Sequence, residues 1–272
     1  MAQAVVFVHG AFCGGWSFDR FRTAFHAAGF ETHAPDLPHH EAGANMDRLA
    51  ACGVKDYAEA IAAYARGLSG PVILVGHSMG GLVAQVAATK IECAGVILLA
   101  PSAPWGVPVT TFDEHANTFG VSLLGDYWRR PVPPDYPTAR RMTLDRLTRE
   151  DSRQAFSRFV PESGRALFET LQWWLDHSMS SAAPPYRISA PVLALTGARD
   201  HVNPTSTVRR IVNRFPSGQA SLFEMPGMSH WLMDEPEWSV VAATAIEWLS
   251  ARGIAPAVRK RAPKTAAASA PA

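Results

Sequence analysis

The stretch Gly76-His77-Ser78-Met79-Gly80-Gly81 sets a serine between two glycines in a G-x-S-x-G pattern. It follows an apolar run ending at Val75 and precedes a helix-length apolar stretch, so the serine falls on a strand–turn–helix junction. Such a turn is sharp. Glycines at 76 and 80 remove the side chains that would collide, and the serine Oγ projects from its apex. A serine hydroxyl is a weak nucleophile until a neighbouring base takes its proton. His230 stands in Pro226-Gly227-Met228-Ser229-His230, just past the last apolar run. Asp200 stands in Thr196-Gly197-Ala198-Arg199-Asp200, just past the run before it. The chain order Ser, Asp, His can assemble a nucleophile, a general base and a carboxylate that orients the base. The other place for an acid, after the run ending at Ala100, reads Pro101-Ser102-Ala103 and has no carboxylate. His201 is an alternative base, but it shares a short loop with Asp200 and reads as a rim histidine. His77, locked beside the serine, reads as a packing residue.

Attack on a carbonyl creates an oxyanion, which two backbone N–H donors can stabilise by about 3 kcal/mol each. The helix that starts after Ser78 points its N-terminal N–H groups and partial positive charge at that place. The first apolar run ends in Val8-His9-Gly10-Ala11, expected beside the serine turn. The expected donors are the N–H groups of Met79 and Ala11, with Phe12 the second choice for the latter. His33, Asp36, His39, His40 and Glu41 cluster after the second run, but their spacing fits no zinc pattern and reads as an exposed polar loop. No metal and no cofactor are expected.

The elements that must hold these residues show in the hydrophobic pattern. Short apolar runs at 4–8, 31–34, 71–75, 95–100, 192–196 and 221–225 read as strands. Amphipathic or alanine-rich stretches at 18–28, 56–68, 79–90, 205–215 and 237–251 read as helices. Nearly continuous apolar strands between helices predict an α/β fold: a doubly wound, mostly parallel sheet of about six strands flanked by helices. Sites in such folds lie outside the carboxyl ends of the strands. The stretch 102–187 interrupts the alternation; it is proline-rich, carries Trp105, Trp128, Trp173 and Trp174, and has helical patterns at 138–147 and 164–177. It is too long for a plain loop and predicts a helical cap inserted into the core domain of 1–101 and 188–253. Trp128, Trp173, Trp174 and Trp231 are the expected aromatic contacts of a substrate. Trp173 and Trp174 point in different directions on one helix, so at most one should reach the pocket. The remainder, 254–272, is Ala, Pro and Lys/Arg without apolar periodicity and should be disordered.

Composition bounds the partners. The chain has 272 residues, 47% of them apolar, enough for one large core. Lys plus Arg total 25 against 24 for Asp plus Glu, which argues against a nucleic-acid-binding protein. Cys13, Cys52 and Cys93 form neither a disulfide framework nor a metal pair and read as small buried apolar residues. The run 4–8 is needed as a core strand, so no cleaved leader is expected, and no run is long enough to span a bilayer. A cytoplasmic protein with a small-molecule ester as partner is the expectation.

With these residues in place, the chain resembles the α/β-hydrolase superfamily over nearly all of 4–252. Its N-terminal half is similar to the short hydrolases that include plant methylesterases and hydroxynitrile lyases. That likeness is carried by His9-Gly10-Ala11, Gly14-Gly15-Trp16-Ser17 and Ala27-Ala28-Gly29, and by a sheet that starts without a leading hairpin. The resemblance implies a six-stranded parallel sheet and a triad of Ser78, Asp200 and His230. The chain departs from the hydroxynitrile lyases, which have threonine at Gly10 and lysine directly after the catalytic histidine. Trp231 stands there instead, so no cation is placed to stabilise departing cyanide. Methylesterases usually have methionine at that position, so Trp231 reshapes the pocket wall. The expected activity is carboxylic ester hydrolysis through an acyl-enzyme on Ser78. A lactonase, amidase, carbon–carbon hydrolase, perhydrolase or lyase on the same apparatus is the alternative, followed by a non-catalytic small-molecule receptor.

Overall fold

The computed structural model describes residues 3–254. In chain order the first elements are β1 (Ala4–Val8), α1 (Asp19–Ala27), β2 (Glu31–His33), α2 (Met46–Ala51) and α3 (Val54–Arg66). They are followed by β3 (Val72–His77), α4 (Met79–Ala88), β4 (Cys93–Leu99), α5 (Phe112–Ser122), β5 (Pro131–Val132), α6 (Tyr136–Met142) and α7 (Arg149–Phe156). The last are β6 (Glu162–Ser163), α8 (Gly164–Leu171), β7 (Val192–Gly197), α9 (Thr205–Val212), β8 (Ala220–Met225) and α10 (Trp238–Ala251). Six strands form one sheet in the order β2-β1-β3-β4-β7-β8, every neighbour parallel.

The period-2 alternation of the strands divides the core into two apolar layers. Val6, Val8, Leu74, Val96, Leu98 and Val192 face one layer, completed by Tyr57, Ala58 and Ile61 of α3 and by Val208 and Ile211 of α9. Val5, Phe7, Ile73, Val75, Ile97 and Leu193 face the other, against Phe21 and Phe25 of α1 and Val241, Ala245 and Leu249 of α10. Helix α4 is buried at every residue, as its almost wholly apolar sequence requires, and its one polar side chain, Gln85, donates to the Gly81 carbonyl. Each large side chain so buried contributes about 1.5–3 kcal/mol. The order of strands reverses between β1 and β3, which opens a crevice above their carboxyl ends.

The fold class agrees with the hydrophobic pattern, and element ends differ by a few residues. Helix α3 starts at Val54, where the Asp56 carboxylate accepts the Gly53 N–H at 2.7 Å and the Gly53 carbonyl accepts the Asp56 N–H at 3.1 Å. The stretch 102–187 departs further from expectation. It contains α5 and α7 and an antiparallel β5–β6 pair that the pattern did not suggest. Side chains start these elements: Thr111 accepts the Glu114 N–H, and Thr148 accepts the Asp151 N–H. The helix expected at 164–177 stops at Leu171, where Gln172 leaves helical geometry and Trp173–Leu175 forms a 3₁₀ turn. The helix expected at 138–147 is α6, started earlier by Asp135 accepting the Thr138 N–H at 2.9 Å.

Two smaller expectations change. Cys52 is only partly buried and directs its Sγ to the Arg48 carbonyl, whereas Cys13 and Cys93 are buried. Ile254, expected in the tail, packs against the second layer and donates its N–H to the Leu249 carbonyl at 3.0 Å. The rest of the expected tail, 255–272, lies outside the described residues. Among the described residues no helix is long and apolar enough to cross a membrane.

Candidate active site

Ser78 sits between β3 and α4 with φ 53° and ψ −123°. A non-glycine residue in such a region costs about 1–3 kcal/mol and must be held by its surroundings. Its N–H donates to the Leu99 carbonyl at 3.0 Å, and its carbonyl accepts from Gly81 N–H at 2.9 Å and Ser102 N–H at 3.0 Å. The flanking glycines are steric necessities. A Cβ on Gly76 would overlap the Gly80 carbonyl, and one on Gly80 would overlap the carbonyls of Val8 and His9. The turn therefore packs directly on the end of β1.

The loops after β7 and β8 bring Asp200 and His230 to Ser78. His230 Nε2 lies 3.0 Å from Ser78 Oγ, and His230 Nδ1 lies 2.8 Å from Asp200 Oδ2. All three residues are buried. The other carboxylate oxygen, Oδ1, accepts the N–H groups of Val202 at 2.8 Å and Asn203 at 2.9 Å. A carboxylate that accepts at both oxygens receives a hydrogen bond from the Nδ1–H of the imidazole, holding the proton on Nδ1 and leaving the Nε2 lone pair facing Oγ. His77 does more than pack: its Nε2–H donates to the His230 carbonyl at 2.9 Å. Burial, then the nearby His230, keeps His77 neutral, well below the ordinary histidine range. His201, the alternative base, is exposed and sits 2.7 Å from Asp113 on α5, away from Ser78.

As first residue of α4, Met79 has an N–H without an intrahelical acceptor, and both Met79 and Ala11 line the cavity above Ser78. Phe12, the second choice for a donor, has its N–H directed to Glu162 Oε2 at 3.2 Å. That cavity measures about 700 Å³ and is walled mainly by apolar side chains from the sheet rim and from 102–187. Trp231 and Trp173 line it. Trp231 is itself buried, with its ring 5.9 Å from Phe159 and 5.6 Å from His77. Trp128 and Trp174, expected as contacts, do not line the cavity. Trp128 is 41% exposed and packs on Tyr127 and Phe168, and Trp174 is 45% exposed. The 3₁₀ turn after α8 sets the Trp173 and Trp174 rings nearly perpendicular, at 85°, so one enters and the other leaves.

Two buried carboxylates that the sequence did not single out support these loops. Glu235 accepts the N–H of Ser229 at 2.8 Å and of Trp231 at 2.9 Å, bracketing His230. Burial pushes its carboxyl up to about 7. Its position five residues after the histidine was the available signal. Glu162 receives His40, which corrects the reading of 33–41 as an exposed loop: His40 is buried, with Nε2 3.0 Å from Glu162 Oε2. No local pattern pairs residues 122 positions apart. Among the described residues no cluster of His, Cys, Asp and Glu could hold a metal ion.

Known proteins resemble the chain as a whole. A pyrethroid hydrolase of Sphingobium wenxiniae is 28% identical over 189 residues, which span 60% of this chain and 66% of that protein, just under two thirds of its length. A methylesterase from Arabidopsis superposes with a TM-score of 0.70 at 22% identity, covering 91% of this chain and 99% of that one. A pyrethroid hydrolase from Sphingobium faniae superposes with a TM-score of 0.66 at 20% identity, covering 92% and 98%. The model of the alpha/beta hydrolase family matches residues 5–243, and the chain belongs to that family.

Proposed function

We propose that the chain is a carboxylic ester hydrolase that works through an acyl-enzyme on Ser78. The observation that carries this reading is the relay from Ser78 Oγ to His230 Nε2 at 3.0 Å and from His230 Nδ1 to Asp200 at 2.8 Å, opening on an apolar cavity. His230 takes the Ser78 proton as Oγ attacks the ester carbonyl, and the N–H groups of Ala11 and Met79 receive the oxyanion. The tetrahedral intermediate collapses, His230 protonates the departing alcohol, and the acyl group stays on Oγ. His230 then takes a proton from water as it attacks the acyl carbonyl; the bond to Oγ breaks, His230 returns the proton to Oγ and the acid leaves. Asp200 fixes the neutral tautomer before each proton transfer and stabilises the imidazolium that forms. No step calls for a metal or cofactor.

The segment 102–187 acts as a cap over the core of 1–101 and 188–253 and selects the substrate. A cavity of about 700 Å³ with mainly apolar walls suits a bulky uncharged ester rather than a charged metabolite. The names of the similar proteins, two pyrethroid hydrolases and a methylesterase, support ester cleavage. The test is a fluorophosphonate probe with mass mapping of the labelled residue, alongside hydrolysis of a short p-nitrophenyl ester. Labelling at Ser78 with ester turnover is expected. A folded protein that neither labels nor turns over the ester would overturn the reading in favour of a binding role.

A further inference from the structure

The loop after β1 leaves ordinary backbone geometry at Phe12, whose φ is 64°. A phenylalanine there costs about 1–3 kcal/mol and persists only where other groups impose it. Those groups come from far along the chain. Phe12 N–H donates to Glu162 Oε2 at 3.2 Å, and the Phe12 carbonyl accepts the Val160 N–H at 2.9 Å. Both polar groups of one strained residue are thus held by one stretch of the cap, ending at β6.

Glu162 has no solvent exposure. Besides Phe12, it meets His40 Nε2 at 3.0 Å, the Tyr57 hydroxyl at 2.8 Å and its neighbour's Ser163 N–H at 2.7 Å. Burial alone would raise its carboxyl, but His40 and these donors hold it below the ordinary carboxylate range. His40, disfavoured as a cation by burial, is raised by the same carboxylate, and both its ring nitrogens face acceptors, Nε2 toward Glu162 and Nδ1 toward the Pro38 carbonyl at 3.1 Å. His9, packed 5.0 Å from His40 between ring centroids, is lowered to about 4, chiefly by burial, and stays neutral. None of Glu162, His40 and Tyr57 lines the cavity, whereas Ala11 and Phe12 do. The network stands behind the oxyanion loop and cannot be a substrate contact.

We propose that Glu162 is a positioning residue for the oxyanion loop: it takes the Phe12 N–H, fixes the turn there and leaves the Ala11 N–H to the substrate oxygen. Because Glu162 is carried by the cap, the oxyanion donor is in register only while the cap is docked. A half-satisfied buried carboxylate is costly, so four donors on one carboxylate make docking and loop geometry a single event. The inference rests on the acyl-enzyme reading of Ser78.

The experiment compares wild type with Glu162→Gln, which keeps the shape but removes the charge and one acceptor. The readouts are kcat and KM on a p-nitrophenyl ester, and the second-order rate of fluorophosphonate labelling at Ser78, well below the unfolding midpoint. Glu169→Gln is the control: Glu169 is a buried carboxylate of α8 that accepts the Val54 N–H at 2.7 Å and touches neither the oxyanion loop nor the cavity. Losing one oxyanion donor costs about 10²–10³ in kcat, and a misaligned one less. Glu162→Gln should therefore lower kcat and the labelling rate by about 10- to 100-fold, with KM within threefold. Glu169→Gln should lower the melting temperature but keep kcat within about twofold. Rates for Glu162→Gln within twofold of wild type overturn the proposal, as does an equal loss in both variants. Should Glu162→Gln not fold, Tyr57→Phe removes one donor to the same carboxylate. A fall in kcat of threefold or more at unchanged KM supports the proposal, and a wild-type kcat overturns it. Wild type that does not label refutes the Ser78 reading itself; wild type and variant labelling alike refute only the role of Glu162.

Discussion

Ser78, Asp200 and His230 each leave the carboxyl end of a sheet strand or its following loop, whereas the wall facing them is made of short helices and a two-residue ladder. The strand ends are held by backbone hydrogen bonds in a ladder buried on both sides, with β1, β3 and β7 buried at every residue. The 102–187 wall is held by side chains: Thr111, Asp135, Thr148 and Ser163 cap its helices, and Glu162, Glu169 and Glu114 tie it to the core. Among the described residues it also carries nine of the thirteen exposed large apolar side chains, Phe112, Phe119 and Tyr186 foremost. Reacting groups belong on rigid elements because small misplacements are costly, and specificity tolerates adjustable ones. The difference predicts that rim substitutions abolish turnover without changing preference, and that substitutions of cavity-lining wall side chains change preference without abolishing turnover.

The largest effect belongs to the rim. Ser78→Ala should lower kcat on a p-nitrophenyl ester by roughly 10⁴-fold or more and leave the melting curve unchanged. Activity above one-tenth of wild type in a clean preparation would overturn the assignment of Ser78 as the nucleophile. Asp200→Asn follows. It keeps the shape but favours the wrong His230 tautomer, and a loss on the order of 10⁴-fold is expected. A nearly silent Asp200→Asn would mean that another group orients the histidine.

The wall should respond differently. Trp173→Ala should change the ranking of acyl chain lengths by about tenfold in kcat/KM, because each methylene in an apolar pocket is worth about 1–3 kcal/mol. Trp128→Ala and Trp174→Ala, both outside the cavity, should keep the wild-type ranking. A changed ranking in either outer variant with none in Trp173→Ala would reverse the assignment of the pocket face.

The smallest effect is in the pH dependence of stability and sharpens what holds the rim. Burial raises the Glu235 carboxyl from 4.5 to about 7, so the folded state keeps a proton that the unfolded state loses. In that window the unfolded state binds fewer protons, and stability falls as pH rises. Glu235→Gln removes this titration. The fall in melting temperature between pH 5 and 7 should become shallower by about 2–4 °C, the shift that 1 kcal/mol gives a domain of this size. An unchanged slope in thermal scans would show that Glu235 does not titrate there.

The sheet and the serine turn were legible because their signals are local. The unbroken apolar run from Val5 to Val8 states a strand covered on both faces, and the glycines at 76 and 80 state a turn too tight for side chains. Helices α5 and α7 were passed over: α5 has only a weak apolar face and α7 is largely polar, burying only Ser152 and Ala155, although Thr111-x-x-Glu114 and Thr148-x-x-Asp151 are local capping signals. The side taken by Trp173 and Trp174 depended on where α8 ends, at Gln172, whose Oε1 accepts the hydroxyl of the distant Tyr127 at 3.0 Å. Least legible was the Glu162 network, which joins Phe12, His40 and Tyr57 across 150, 122 and 105 positions. The strands, the serine turn and the order of the three polar residues follow from local sequence, since hydrophobic period and turn sterics act between near neighbours. Only the tertiary structure decided the partners of the buried carboxylates and the faces of the tryptophans, since a charge excluded from water must be met by whatever donors the fold brings to it.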